Sequence, residues 1–273
     1  MAVITFSREA HSGTQDLARL LAQRLGYRYV GRDELTEAVT ARSGVSREPQ
    51  TGESEGRSLS LWEHLGEQLT GDREAYVTAL KAVITELALA DNVVIVGHGA
   101  GLFLNEMRSV VRVFVVAPMA DRLARLHADG VDDPARARNL IDQQDRESAA
   151  YLRYLFGVDW LDPHQWDLVI NTGRADPEAA LDMLTQYTRS LVRDRLEHAD
   201  LERKQVINRV EQALIGADLG IDKLGVHFDG ETLTLQGEAL TQDDRARTEA
   251  LARSVASHVT LDNQIVLRPP SSA

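Results

Sequence analysis

AVITFSREAHSGTQDLARLLAQRLG, residues 2–26, is the stretch on which the reading of the fold rests. Ala2-Val3-Ile4-Thr5-Phe6 is a short apolar run with β-branched residues, as in a strand buried within a parallel sheet. Leu17, Leu20, Leu21 and Leu25 recur at helical spacing, and Gly26 stands where a helix commonly stops. Between them Ser7 to Thr14 are small and polar around Gly13. A junction of this kind gathers unpaired backbone N–H groups at the positive end of a helix dipole, which suits an anion.

Outward from this unit, short apolar runs at Tyr27–Val30, Val93–Val96, Val110–Val116 and Asp167–Ile170 read as further strands. Helical segments separate them, beginning at Arg32 and covering most of Trp62–Ala90, then Asp121–Asp129 and Pro134–Phe156. Strands that alternate with helices build a parallel sheet with helices on both faces, and ligands bind beyond the carboxyl ends of its strands. The segment SGVSREPQTGESEGRSLS, residues 43–60, has no hydrophobic period and reads as a long loop, either a lid or a disordered excursion. Asp176-Pro177 opens a helix that is expected to run towards His198.

The texture then changes, and a domain boundary is expected near residues 195–200. Leu201–Ile215 is an amphipathic helix, and two alternating runs meet across Asp229-Gly230, a hairpin signal. A helix at Thr241–His258 and a last strand at Asn263–Leu267 complete an α–β–β–α–β unit.

The chain has 273 residues, 43% hydrophobic and 26% charged, as ordinary globular proteins do. A formal net charge of −12 argues against nucleic acid or an anionic membrane as the main partner. Cysteine is absent, which excludes disulfides and thiolate metal sites. Neither a leader pattern nor an apolar run of spanning length is evident, so a cytoplasmic location is expected.

Three clusters could carry chemistry. A phosphate-cradling G-x-x-x-x-G-K-[ST] loop, read from Gly13, has Arg8 at its first glycine, Thr14 at its lysine and Asp16 at its hydroxyl. On its own terms that motif fails, and an ordinary strand–turn–helix link remains open. Val96-Gly97-His98-Gly99-Ala100-Gly101 follows a buried strand, but its third glycine comes one residue early for a dinucleotide fingerprint. Arg146 and Arg153 are two helical turns apart on one face and could clamp phosphate, or simply pair with Asp142 and Asp145 in solvent.

Taken together, ITFSREAHSGTQDLARLLAQRLGYRYVGRDEL, VVIVGHGAG, VFVVAPMADRLARL and DRESAAYLRYLFGVDWLDPHQWDLVINTG resemble the cytidylate kinase-like family of P-loop nucleoside monophosphate kinases, in the family's order. The resemblance implies a P-loop NTPase-type α/β domain over residues 1–195. It implies a phosphate-binding loop at Ser7, Arg8, Ser12, Gly13, Thr14, Gln15 and Asp16, and an acceptor region at Arg32 and Asp33 bordered by Gly97, His98 and Gly99. It also implies a lid carrying the catalytic Arg146 and Arg153, with Arg122 facing the phosphates. The family's loop resembles SREYGSGG and its strand end GRGA; here His11 and Thr14 replace two glycines and His98 an arginine. With no loop lysine, the charge would come from Arg8 or a lid arginine, and magnesium from Asp16 or the nucleotide.

Residues 200–268 resemble a BON domain, through ALIGADLGIDKLGVHFDGETLTLQGEAL and the glycine, Gly237, that ends its hairpin. The resemblances imply ATP and Mg²⁺ as cofactors, small nucleotides as partners, and phosphoryl transfer to a nucleoside monophosphate, CMP or dCMP first. The C-terminal unit would serve a protein partner or self-association. The other reading is a catalytically weakened, nucleotide-binding regulator acting through that unit.

Overall fold

The computed structural model describes residues 2–43, 71–107, 109–191, 195–215, 217 and 219–268. They fall into two compact units: residues 2–38 and 90–191 in the first, 39–43, 71–89 and 195–268 in the second. Most of the loop expected at 43–60 lies outside the described residues.

In chain order the elements are β1 (Val3–Arg8), α1 (Thr14–Leu25), β2 (Arg28–Val30), α2 (Arg32–Ser43), α3 (Gly71–Ala90) and β3 (Val93–Val96). Then come α4 (Ala100–Phe103), β4 (Val110–Val116), α5 (Met119–Ala128), α6 (Pro134–Phe156), a 3₁₀ turn (Pro163–Gln165), β5 (Leu168–Asn171) and α7 (Pro177–Ser190). Among the described residues β1 to β5 form one parallel sheet in the order β2-β3-β1-β4-β5. From β1 the chain moves to one side for β2 and β3, then to the other for β4 and β5. The loops after β1 and β3 therefore open at the point where strand order reverses, the usual ligand position of such sheets.

Period-two alternation decides which helix each strand residue meets. Ile4, Phe6, Val94, Val96, Val111, Val113, Val115 and Ile170 pack with Leu17, Ala18, Leu21 and Ala22 of α1 and with Ala180, Leu181 and Leu184 of α7. On the other face Phe114 packs with Leu102, Leu152, Trp160 and Trp166. Its ring stacks on Trp166, whose indole N–H donates to the Trp160 carbonyl at 2.9 Å. Leu20, expected on the buried face of α1, is 46% exposed, because Leu17, Ala18, Leu21 and Ala22 already fill that face.

Local chemistry fixes the helix ends. Gly26 takes a left-handed φ of 69° and its N–H closes on the carbonyls of Ala22 and Gln23. Asp133 and Asp176 accept the amides of Ala135 and Ala179 at 2.9 and 3.0 Å, each just before a proline. The α7 helix, expected to run towards His198, ends at Ser190, where Leu191 turns extended.

The second unit contains α3, α8 (Arg195–Ile215), β6 (Ile221–Phe228), β7 (Thr232–Ala239), α9 (Gln242–Val255), β8 (Thr260–Asn263) and β9 (Val266–Leu267). Its core gathers Val210, Leu214, Val226, Leu233, Leu235, Ala252 and Ile265. Asn208 of α8 donates to Thr85 of α3 at 3.1 Å in a buried bond. The expected hairpin forms as β6 and β7, antiparallel across Asp229-Gly230. The expected last strand is two short ones, both parallel to β7, because the Asn263 carboxamide accepts the Ile265 amide at 3.1 Å and bends the chain. Among the described residues no helix is long and apolar enough to cross a membrane.

Candidate active site

The loop after β1 is held from behind. Arg122 of α5, only 4% exposed, donates from Nε to the Ala10 carbonyl at 2.8 Å, from Nη2 to Asp145, and lies 3.5 Å from Glu9. Glu9 in turn accepts the Ala117 amide at 3.1 Å, and Asp145 the Ala10 amide at 2.8 Å. One turn further along α5, Arg125 donates to the His11 carbonyl at 3.2 Å and to the Thr172 hydroxyl at 3.3 Å. Thr172 donates to the Ser12 carbonyl at 2.6 Å. The carbonyls of residues 10, 11 and 12 are thus all bonded away from the loop's interior.

The loop amides have the opposite fate. Gly13, with φ of 77°, begins α1 without a side-chain cap, and the Ser12 and Thr14 hydroxyls bond each other at 2.8 Å. Among the described residues no hydrogen bond closes on the amides of Gly13, Thr14, Gln15 or Asp16. First-turn amides of a helix are the donors that anions take. Strict spacing from Gly13 assigns the hydroxyl position of the phosphate-loop pattern to Gln15, correcting the assignment to Asp16. Gln15 and Asp16 are both exposed. Among the described residues no group of three or more metal-ligating side chains occurs, so a protein-built cation cage does not fit; Asp16 is a single carboxylate.

Beside the loop lies a cleft lined by Ser7, Arg8 and Ala10, by Arg32 at the start of α2, by Gly97, His98 and Gly99 after β3, by Gln144, Glu147, Ser148, Tyr151 and Leu152 of α6, and by Trp160. Burial, then the like charge of Arg32, pushes the Arg8 pKa down. Burial also pushes His98 down, to about 3, with Arg32 and Arg8 adding to the effect. The Thr36 hydroxyl donates to the Arg32 carbonyl at 2.7 Å, so His98 Nε2, 3.1 Å from that hydroxyl, is the donor of the pair. His98 is therefore a neutral, hydrogen-bonded wall of the cleft. The Tyr151 hydroxyl donates to its carbonyl at 3.3 Å. Gly99 has φ of 68°, and a Cβ there would lie 2.7 Å from the Phe156 ring, so α6 packs directly on this turn.

Of the expected site residues, the structure brings Ser7, Arg8, Arg32, Gly97, His98 and Gly99 together in the cleft. Asp33 is exposed on the first turn of α2 and does not line it. Arg122, expected to face phosphate, is committed to Ala10, Asp145 and Glu9. Arg146 and Arg153 are exposed and do not line the cleft. At 3.6 residues per turn they lie on the order of 170° around α6 from the face that does. That face, 144, 147, 148 and 151, follows the i, i+3, i+4, i+7 spacing of a helical stripe, a signal present in the sequence but outweighed by the two arginines. Arg125, Thr172 and Glu9 have no comparable linear signature.

A model of the cytidylate kinase-like family matches residues 3–174. The chain belongs to the cytidylate kinase-like family. Membership supports a nucleotide kinase, and the cleft and loop both fall inside the matched span. The cytidylate kinase of Ignicoccus hospitalis is 28% identical over 187 residues, 67% of this chain and 97% of that one. The cytidylate kinase of Methanothrix thermoacetophila is 27% identical over 192 residues, 69% of this chain and 99% of that one. A solved structure of an uncharacterized protein from Eubacterium ventriosum shares the fold, with a TM-score of 0.53, 20% identity, and coverage of 70% of this chain and 100% of that one. All three likenesses leave about 30% of this chain uncovered.

Proposed function

We propose that this member of the cytidylate kinase-like family is a cytoplasmic, ATP-dependent nucleoside monophosphate kinase, with CMP and dCMP the first acceptors to test. The observation that carries the reading is the polarity of the loop after β1. Its carbonyls are tied back by Arg122, Arg125 and Thr172, while the amides of residues 13–16 open onto the start of α1 beside two cleft arginines. The names of the matched relatives support cytidine as the base.

In this scheme Ser7, Ser12, Gly13, Thr14, Gln15 and Asp16 form the seat for the donor phosphates. ATP supplies the transferable phosphoryl group. Arg8, standing between loop and cleft, neutralises charge that builds between donor and acceptor, and Arg32 orients the acceptor phosphate with Gly97, His98 and Gly99 as its wall. Magnesium arrives with the nucleotide and takes at most one oxygen from Asp16. Residues 1–195 are proposed as the kinase-like domain and 200–268 as a BON-like module for a protein partner or a second copy.

A second reading, a nucleotide-binding regulator without turnover, is favoured by one observation. The α6 side chains that line the cleft, Gln144, Glu147, Ser148, Tyr151 and Leu152, include no cation, and the loop has threonine in place of lysine. ADP formation with a panel of nucleoside monophosphates, run beside calorimetric nucleotide binding, separates the two. Turnover with CMP or dCMP is the expected result. Binding without turnover selects the regulator, and no binding sinks both.

A further inference from the structure

Asp145 belongs to α6, yet its carboxylate reaches into the loop after β1. Oδ1 accepts the Ala10 amide at 2.8 Å, and Oδ2 accepts from Nη2 of Arg122. The same guanidinium holds the Ala10 carbonyl, so residue 10 is gripped at both its N–H and its C=O. One backbone amide of an anion-suited loop together with one buried guanidinium is the partner set of a phosphate oxygen. Arg122 and Arg8 are the cations that act on this carboxylate, Glu9 shares Arg122 with it at 3.5 Å, and His11, with its pKa pushed down by burial, stands near it.

We infer that Asp145 is a built-in stand-in for phosphate, seated on the Ala10 amide and Arg122 until a polyphosphate takes over those two donors. The inference rests on the phosphate-seating role proposed for residues 7–16. Two anions cannot share the pair without strong repulsion, so entry of phosphate displaces the carboxylate and unfastens α6 from the loop. The next residues on α6, Glu147, Ser148 and Tyr151, line the cleft, so filling the loop is felt on the acceptor side. Arg122, released from Asp145, then turns its charge to the phosphate.

A purely structural Asp145 and a stand-in differ in the sign of one measurement. Asp145→Asn keeps an oxygen for the Ala10 amide and removes the competing charge. It is expected to tighten calorimetric binding of tripolyphosphate to the full chain by about tenfold, while Asp145→Glu stays near wild type. Unchanged or weaker binding by a folded Asp145→Asn protein overturns the inference. Should that variant not fold, the wild-type chain decides: on titration with tripolyphosphate the Ala10 amide resonance is expected to move with those of residues 13–16. Movement of residues 13–16 with Ala10 stationary overturns it. Failure of the wild type to bind tripolyphosphate at all overturns the phosphate seat and this inference together, an outcome distinct from binding that Asp145→Asn does not tighten.

Discussion

Two pairs of arginines flank one loop and do opposite work. Arg122 and Arg125 stand behind it, and their guanidiniums are consumed by the carbonyls of Ala10 and His11, by Asp145 and by Thr172. Arg8 and Arg32 stand in front, share the cleft and repel each other. The rear pair is a scaffold, because guanidiniums bonded to carbonyl and carboxylate partners hold the loop's shape for as long as those partners stay in place. The front pair is poised, because like charges held together gain most when an anion arrives between them. Residue type alone says nothing about this division; the partners decide it.

The comparison breaks most sharply at Arg122. Arg122→Ala leaves Asp145 and the Ala10 carbonyl without their buried partner, and the expected loss of stability is about 3–5 kcal/mol by urea unfolding. A loss of under about 1 kcal/mol would erase the distinction between scaffold and cleft. Arg8→Ala is expected to behave in the reverse way. Turnover should fall by about 10²–10³ in a coupled ADP assay, with unfolding free energy changed by no more than about 0.5 kcal/mol.

Burial in the cleft, with the front pair adding to it, also leaves a pH signature. His98 titrates near 3 in the folded chain, against 6.5 for an ordinary histidine, so below pH 6.5 the unfolded chain binds a proton that the folded one refuses. Stability therefore falls as pH drops from about 6.5 towards 4, with a slope of about 1 kcal/mol per pH unit. His11, also shifted down by burial, adds to it with the same sign. His98→Asn should flatten the slope in urea midpoints measured across that range, and an unchanged slope would remove His98 as its source. The smallest expected effect belongs to the arginines on the far side of α6. Arg146→Ala and Arg153→Ala should each change kcat/KM by less than about threefold. A fall of about 10² or more would show that α6 turns its arginine face to the substrate.

Much of the first unit was legible along the chain. Strands of β-branched residues at Val93–Val96 and Val110–Val116, and the Asp-Pro starts of α6 and α7, are local signals that tertiary contacts did not override. The second unit's last strand has the local pattern of one strand and forms two, since the Asn263 carboxamide accepts the Ile265 amide and bends the chain there. In the site, the glycine-flanked positions were legible, because Gly97 to Gly99 follow a buried strand. The cleft face of α6 was not, since its polar stripe at 144, 147, 148 and 151 carries a weaker chemical signature than the two arginines at i, i+7, which do not line the cleft.

The sequence by itself determined the order of strands and helices, the anion-suited junction at residues 7–16, and the family. Periodicity, capping and turn chemistry are short-range, and they act before the chain is closed. Only the tertiary structure decided which arginines hold the loop and which face the cleft. Arg122 meets Ala10 across 112 residues, and Ala10 meets Asp145 across 135. A guanidinium's task is set by the groups within hydrogen-bond reach, and the fold alone brings those together.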